Sequence, residues 1–310
     1  MKVLVTGSKG QLGYDLINEL TERGHEAVGS DIAPANSYSD TGTAGKESFY
    51  ISLDITDSEA VKNVISEVKP DAVIHCAAWT AVDAAEDEEN REKVRLINSV
   101  GTENVAAACK DVDAKMIYIS TDYVFDGEGT NFREPDEKNR QPLNHYGQTK
   151  YEGELAVEKL LSKYFIVRIA WVFGVNGNNF IKTMLRLGKD RDKLTVVNDQ
   201  TGSPTYTFDL ARLLVDMMET DKYGRYHATN EGLCTWYEFA CEIFRQAAAM
   251  GHEEYAPENL SVAPVSSSQY PSKAKRPSNS RMSKEKLSEA GFERLPSWQD
   301  ALGRYLKEII

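Results

Sequence analysis

The chain is short of positive charge. Its 310 residues carry 36 Lys and Arg against 48 Asp and Glu, a formal net charge of -12. A balance of this sign lacks the broad positive field with which proteins bind nucleic acids or anionic membranes. Neither partner is expected, although a local basic patch for a phosphorylated ligand remains compatible. Cysteine is sparse: Cys76, Cys109, Cys234 and Cys241 stand far apart with no C-x-x-C pair, which argues against a zinc site and a disulfide framework. No apolar run is long enough to span a bilayer, and no secretory signal pattern follows Met1, so the expected location is the cytoplasm. Internal repeats and low-complexity segments are also missing. The length suffices for a full hydrophobic core in one large or two modest domains.

What the chain has is alternation. Val3-Leu4-Val5 reads as a short strand that breaks at Gly7. Gly7-Ser8-Lys9-Gly10-Gln11-Leu12-Gly13 then opens an amphipathic helix carrying Leu12, Leu16 and Leu20, which ends near Gly24. A G-x-x-G-x-x-G loop between strand and helix lets the backbone turn tightly and approach a pyrophosphate, while the helix N-terminus offers N–H groups to the phosphates. Gly7, Gly10, Gln11, Leu12 and Gly13 are therefore candidate cofactor contacts; the plainer alternative is an ordinary strand-to-helix turn. A second strand over residues 26–30 ends in Asp31, placed to accept hydrogen bonds from an adenosine ribose and to repel a 2′-phosphate. That favours NADH over NADPH, the alternative being an acidic loop residue. Residues 33–46 are rich in Ser, Thr and Gly and predict a surface loop, with Lys46 the nearest cation in sequence that could answer a phosphate.

Residues 49–53 predict a strand ending at Asp54-Ile55, followed by a charged helix to Lys69. Residues 71–78 read as a buried strand running into Ala77 and Ala78, small enough for close backbone approach to a cofactor. His75 at its end reads as a satisfied core histidine. The acids Glu86-Asp87-Glu88-Glu89 suit the start of a helix, which should carry Asn98 on towards Cys109. Residues 116–120 form another core strand, 127–143 a long polar loop, and 166–171 the last clear strand. Strands alternating with helices imply an α/β, Rossmann-like, doubly wound parallel sheet over residues 1–173. A smaller, interleaved C-terminal substrate-binding part covers 174–310, with a helix near 208–221 returning to the first.

The chemistry concentrates in two stretches. Tyr146 and Lys150 lie four residues apart and share one helix face. An ammonium one turn from a phenol favours the phenolate, so the Tyr could exchange a proton with a substrate oxygen near neutral pH. A Tyr resting on a Lys stem at a helix surface is the commoner meaning of such a pair. The weight comes from Ser120-Thr121-Asp122-Tyr123, at the C-terminal end of a core strand, where open α/β sheets place their ligands.

Taken with the glycine loop, Ser120-Thr121-Asp122-Tyr123-Val124-Phe125 and Tyr146-Gly147-Gln148-Thr149-Lys150 resemble the extended short-chain dehydrogenase/reductases. Within them the chain is similar to the dTDP-4-dehydrorhamnose reductase family. The resemblance runs nearly end to end. It includes residues 77–86, Arg168-Ile169-Ala170-Trp171-Val172-Phe173-Gly174, Asn178-Asn179-Phe180, Asp199-Gln200-Thr201-Gly202-Ser203-Pro204-Thr205 and Arg276-Pro277-Ser278-Asn279-Ser280-Arg281. It implies NAD(P)H-dependent reduction of the C4 keto group of dTDP-4-dehydro-L-rhamnose, with Thr121, Tyr146 and Lys150 as the catalytic residues. It places Asp54 and Ile55 at the adenine and makes Ala77, Ala78 and Thr80 a cofactor-lining turn. Trp171 would lie against the sugar. Thr121, Asp122, Trp171, Asn179, Lys182, Arg186 and Arg276 are the substrate candidates, with Arg281 a further cation for the diphosphate. Some members hold a magnesium ion with glutamates of both subunits at a dimer interface. The aligned positions here are Asp15 and Phe208, so no metal is expected, and a homodimer loses the support such an ion would give. Two rivals remain: a nucleotide-sugar epimerase or dehydratase on the same scaffold, and a non-catalytic subunit like the regulatory β chain of methionine adenosyltransferase.

Overall fold

A computed structural model describes residues 1–34, 49–138 and 140–310. Most of the expected 33–46 loop, Lys46 included, lies outside the described residues. The first half of the chain alternates as β1 (Lys2–Thr6), α1 (Gln11–Glu22), β2 (Glu26–Asp31), β3 (Phe49–Ser52), α2 (Ser58–Val68), β4 (Ala72–His75), α3 (Glu88–Arg95), α4 (Gly101–Asp111), β5 (Lys115–Thr121), α5 (His145–Leu160) and β6 (Tyr164–Ile169). Shorter elements follow: β7 (Val172–Phe173), α6 (Phe180–Asp190), β8 (Lys193–Val197), β9 (Thr201–Gly202), β10 (Thr205–Tyr206), α7 (Thr207–Met218), β11 (Gly224–His227), β12 (Cys234–Thr235), α8 (Trp236–Ala249), β13 (Ser261–Val265), α9 (Glu285–Glu289) and α10 (Trp298–Ile309).

Seven strands make one parallel sheet in the order β3-β2-β1-β4-β5-β6-β11. Because β1 side chains alternate, Val3 and Val5 join one core with Leu16, Leu20 and the α7 residues Leu210 and Leu214, while Leu4 joins Val73, Val61, Ile65 and Met116 on the opposite face. Burial on both faces explains why these strands read as near-continuous apolar runs. The order reverses between β1 and β4, and such a switch opens a crevice at the strands' carboxyl ends. The glycine loop, Asp31, Thr121 and Asp122 all lie at or just beyond these ends.

Residues 166–171, the last clear strand of the sequence, fall mainly on β6 and have a further, shorter neighbour. Four-residue β11 adds beyond β6, pairing Gly224 with Phe165 through His227 with Arg168. It comes after a helical excursion, and so short a run carries no periodicity to assign it to a sheet. The helix expected through Asn98 also departs from a regular course. A π turn over Leu96–Val100 joins α3 to α4 and leaves the Asn98 side chain wholly buried. A third apolar cluster builds on α6, α8 and α10, with Phe173, Tyr206, Phe239, Trp298 and Tyr305 at its centre. The chain returns from it to the sheet through α7, which packs on α1. Among the described residues no helix is long and apolar enough to cross a membrane.

Candidate active site

A cavity of about 610 Å³ runs along the carboxyl ends of the sheet. Gly7, Gly10, Gln11, Leu12, Gly13, Asp31, Asp54, Ile55, Ala77, Ala78 and Thr80 line it, and so do Thr121, Asp122, Tyr146, Lys150 and Trp171. Two glycines shape the entry. Gly7 has φ +68°, and a Cβ there would sit 2.6 Å from Ala77 N and 2.8 Å from Ala77 Cα. A Cβ on Gly13 would meet Ser8 Cα at 2.6 Å. Larger residues would push α1 away from the crevice. At the N-terminus of α1, Gly10 supplies no side-chain cap, leaving first-turn N–H groups for an anion. The backbone cradle, the uncapped helix end and the carboxylate of Asp31 at the end of β2 have the chemistry that suits a dinucleotide.

At one end of the cavity, Asp31 Oδ2 accepts from Lys9 N at 3.1 Å and Oδ1 from Ile32 N at 2.8 Å. These bonds fix the carboxylate yet leave lone pairs free for a ribose. Asp54 Oδ1 accepts from Thr56 N and Thr56 Oγ1 at 2.9 and 2.7 Å. Gln11 turns its side chain towards the later part of the chain, accepting at Oε1 from Gly174 N (2.9 Å) and Asn179 Nδ2 (3.1 Å).

At the other end, Asn144 caps α5 by accepting from Gly147 N at 2.8 Å, which places Tyr146 in the first turn of that helix. Its ring meets Tyr123 edge-on, centroids 5.6 Å apart. Thr121 Oγ1 donates to Asp122 Oδ1 at 3.0 Å and accepts from Tyr123 N at 3.3 Å. Asp122 Oδ2 accepts from Ser280 Oγ at 2.5 Å. Burial lifts the Asp122 carboxyl to about 6, held there against further rise by the Ser280 and Thr121 bonds.

The expected lowering of the Tyr146 pKa by Lys150 is not what the structure shows. Burial, and then the neighbouring Asp122, raise the phenol well above its ordinary value, and only a Thr121 hydrogen bond pulls it down. Lys150 is itself buried, with Nζ 4.2 Å from the Tyr118 ring centroid, and desolvation takes it down to about 7 despite Glu154. A lysine so poised is only part-charged at neutral pH and is a weak lever on its neighbour. A phenol held high stays protonated and gives its proton only to a strong base.

Apart from Trp171, the remaining substrate candidates lie outside the described residues that line the cavity. Asn179 caps α6 and donates to Tyr305 Oη at 2.8 Å. Lys182 Nζ donates to the carbonyls of Val175 and Gly177 at 2.6 and 2.8 Å. Arg186 is exposed on α6. Arg276 pairs with Asp83 at 2.5 Å and reaches Tyr123 Oη at 3.4 Å. Arg281 donates to Asn279 Oδ1 at 3.0 Å. Trp171 has φ +51° and stacks on Trp236, ring centroids 3.7 Å apart.

Residues 1–310 match the family described as the RmlD substrate binding domain. This chain belongs to that family. A dTDP-4-dehydrorhamnose reductase of Aggregatibacter actinomycetemcomitans is 38% identical over 309 residues, covering 97% of each chain. Among solved structures, a dTDP-4-dehydrorhamnose reductase of Clostridium acetobutylicum is 38% identical with a TM-score of 0.87, over 100% of this chain and 99% of that one. Another, from Bacillus anthracis in complex with NADP, is 40% identical with a TM-score of 0.85, over 99% and 100%.

Within this family member, sequence reasoning missed three supports of the site. Asn98 accepts from Trp79 N at 2.8 Å and donates to Trp79 O at 3.2 Å and Thr149 Oγ1 at 3.1 Å, tying the cofactor-lining turn to α5. A π turn is a frequent feature of functional sites, but no residue pattern announced this one. Ser280 reaches Asp122 from 158 residues away. Trp236 backs Trp171, and nothing in the sequence pairs the two.

Proposed function

We propose that the protein reduces the C4 carbonyl of dTDP-4-dehydro-L-rhamnose, using NADH or NADPH. The observation that carries this is a single cavity joining the glycine loop to Thr121, Tyr146 and Lys150, in a chain similar from end to end to dTDP-4-dehydrorhamnose reductases. When bound, the dinucleotide supplies the hydride that adds to C4. Gly7, Gly10 and Gly13 with the first turn of α1 hold its pyrophosphate, Asp31 its adenosine ribose, Asp54 and Ile55 its adenine, and Ala77, Ala78 and Thr80 its inner flank. Tyr146 Oη gives a proton to the alkoxide that forms at O4. Thr121, hydrogen-bonded to Asp122, shares the charge on that oxygen. Lys150 holds the nicotinamide ribose and, when charged, eases departure of the Tyr146 proton. Trp171, backed by Trp236, lies against the sugar ring, and Asp122 with the 174–310 part of the chain completes its binding. The diphosphate is met by a cation from among Lys182, Arg186, Arg276 and Arg281, which leaves its present contacts or reaches across solvent to do so.

The test is oxidation of reduced cofactor by purified protein in the presence of dTDP-4-dehydrorhamnose made in situ, with the sugar product identified. Stoichiometric loss of reduced cofactor and appearance of dTDP-L-rhamnose are expected. Turnover of the sugar with no net change in cofactor would instead indicate an epimerase or dehydratase.

A further inference from the structure

Behind the candidate catalytic residues lies a charge cluster sealed from solvent. Glu154 stands one helical turn past Lys150 on α5, so the two share a face, and its side chain is 0% exposed. Its Oε1 accepts from Ser120 Oγ at 2.6 Å and Arg168 Nε at 2.7 Å. Its Oε2 accepts from Arg168 Nη2 at 2.8 Å and Arg140 Nη1 at 3.1 Å. One carboxylate thus ties together α5, β6, the loop before α5 and the end of β5 directly beside Thr121. A buried carboxylate is expensive unless paired and fully hydrogen-bonded, and here four donors hold it ionised, below the usual carboxylate range.

The neighbours of Lys150 supply little other negative charge. Tyr118 lies under its Nζ with its phenol raised by burial, His75 is held neutral by burial at about 3, and the Cys76 thiol is pushed up to about 12. Tyr146 on the same helix is protonated for the reason given above. The guanidiniums of Arg168 and Arg140 both donate to Glu154, and His227 beside Arg168 is kept neutral by burial. Glu154 is the anion that faces Lys150 among the described residues.

We propose that Glu154 is a positioning residue for the reduction: it fixes the Ser120-Thr121 strand end against α5 and supplies the buried negative charge that favours the ammonium form of Lys150. Removing that charge would leave two guanidiniums and one lysine in a dry pocket, and the lysine is the member able to shed a proton. This rests on the reading of Lys150 as a group that acts when charged.

The experiment compares the pH dependence of kcat/KM for the wild type and Glu154→Gln, with thermal unfolding recorded alongside. The alkaline limb of the variant should move down by about one pH unit, the lower end of what a neighbouring opposite charge does. Activity would then fall about tenfold on the alkaline side and much less on the acid side. A drop of equal size at every pH, with the limb unmoved, would mean a purely structural role and overturns the proposal. If Glu154→Gln does not fold, Arg140→Met decides. It strips one cation from Glu154 and should move the limb upward, and a limb that stays in place overturns the proposal equally. Lys150→Met separates the two levels. If it stays active, the reading of Lys150 fails; if it is inactive while the Glu154 and Arg140 limbs stay put, only the Glu154 proposal fails.

Discussion

Tyr146→Phe removes one oxygen from a ring that is 9% exposed and packed edge-on against Tyr123. Phe keeps the ring and that contact. The structural loss is confined to one hydrogen bond near Thr121, about 1 kcal/mol, so the midpoint of unfolding should fall by only a few degrees in a chain of this length. Activity should respond far more. Without Oη the developing alkoxide has no acid at hand, and loss of general acid catalysis lowers rates by roughly 100- to 10,000-fold. That is about 3 kcal/mol of barrier or more. Thr121 cannot stand in, because an aliphatic hydroxyl can share charge on the oxygen through a hydrogen bond but is far too weak an acid to give its proton up. The assay is steady-state and single-turnover oxidation of reduced cofactor, with cofactor affinity measured separately. Affinity should change by less than about threefold, since Gly7, Asp31 and the first turn of α1 are untouched. The wild-type pH profile adds an independent check. Burial keeps the Tyr146 phenol protonated well beyond neutrality, so the alkaline limb should report Lys150, at about 7, and not the tyrosine. Turnover in Tyr146→Phe within about tenfold of wild type would refute the assignment of Tyr146 as the acid, because that lies below the range for a lost proton donor.

Other outcomes follow from neighbouring geometry. Asp31→Ala removes a carboxylate that would repel a 2′-phosphate; wild type should favour NADH by a modest factor and the variant should move towards NADPH, measured as kcat/KM for both cofactors at one ionic strength. An unmoved ratio would reduce Asp31 to a loop acid. Ser280→Ala deletes the 2.5 Å bond to Asp122, one of the contacts holding that carboxyl down at about 6. Its protonated form then persists to higher pH, and the acid limb of kcat/KM should rise by up to about one unit. Asp15 is 7% exposed with an unpartnered Oδ2, and burial lifts it from 3.8 to about 6. A raised carboxyl pKa adds stability below the unfolded value and loses it as pH climbs through the folded one. Asp15→Asn should therefore stabilise the protein at pH 7 by roughly 1–3 kcal/mol and by much less at pH 4, read from denaturant unfolding at both values.

The primary structure alone decided the architecture and nominated the cofactor-contact candidates that the structure brings to one cavity. Apolar runs of four to six residues between amphipathic stretches leave few alternatives to a parallel sheet covered on both faces. A glycine loop between the first strand and helix carries its own backbone requirement, visible in the φ of +68° at Gly7 and the crowding against Ala77. The spacing of Tyr146 and Lys150 likewise put both on one helix face whatever the rest of the chain did. Tertiary structure alone decided how these groups are charged and what supports them. Whether Lys150 lowers the Tyr146 pKa depends on desolvation of both, a property of packing that no local spacing records. Ser280 meets Asp122 across 158 residues, β11 joins β6 across 59, and Arg168 on β6 closes back on Glu154 of the preceding helix α5. Lys182, Arg276 and Asn179 looked like ligands of a diphosphate or sugar because their charge and polarity were legible; their carbonyl, carboxylate and helix-cap partners were not. Local sequence specifies dihedral preferences and the side of an element a residue occupies, while burial and long-range hydrogen bonds arise only when distant elements come into contact.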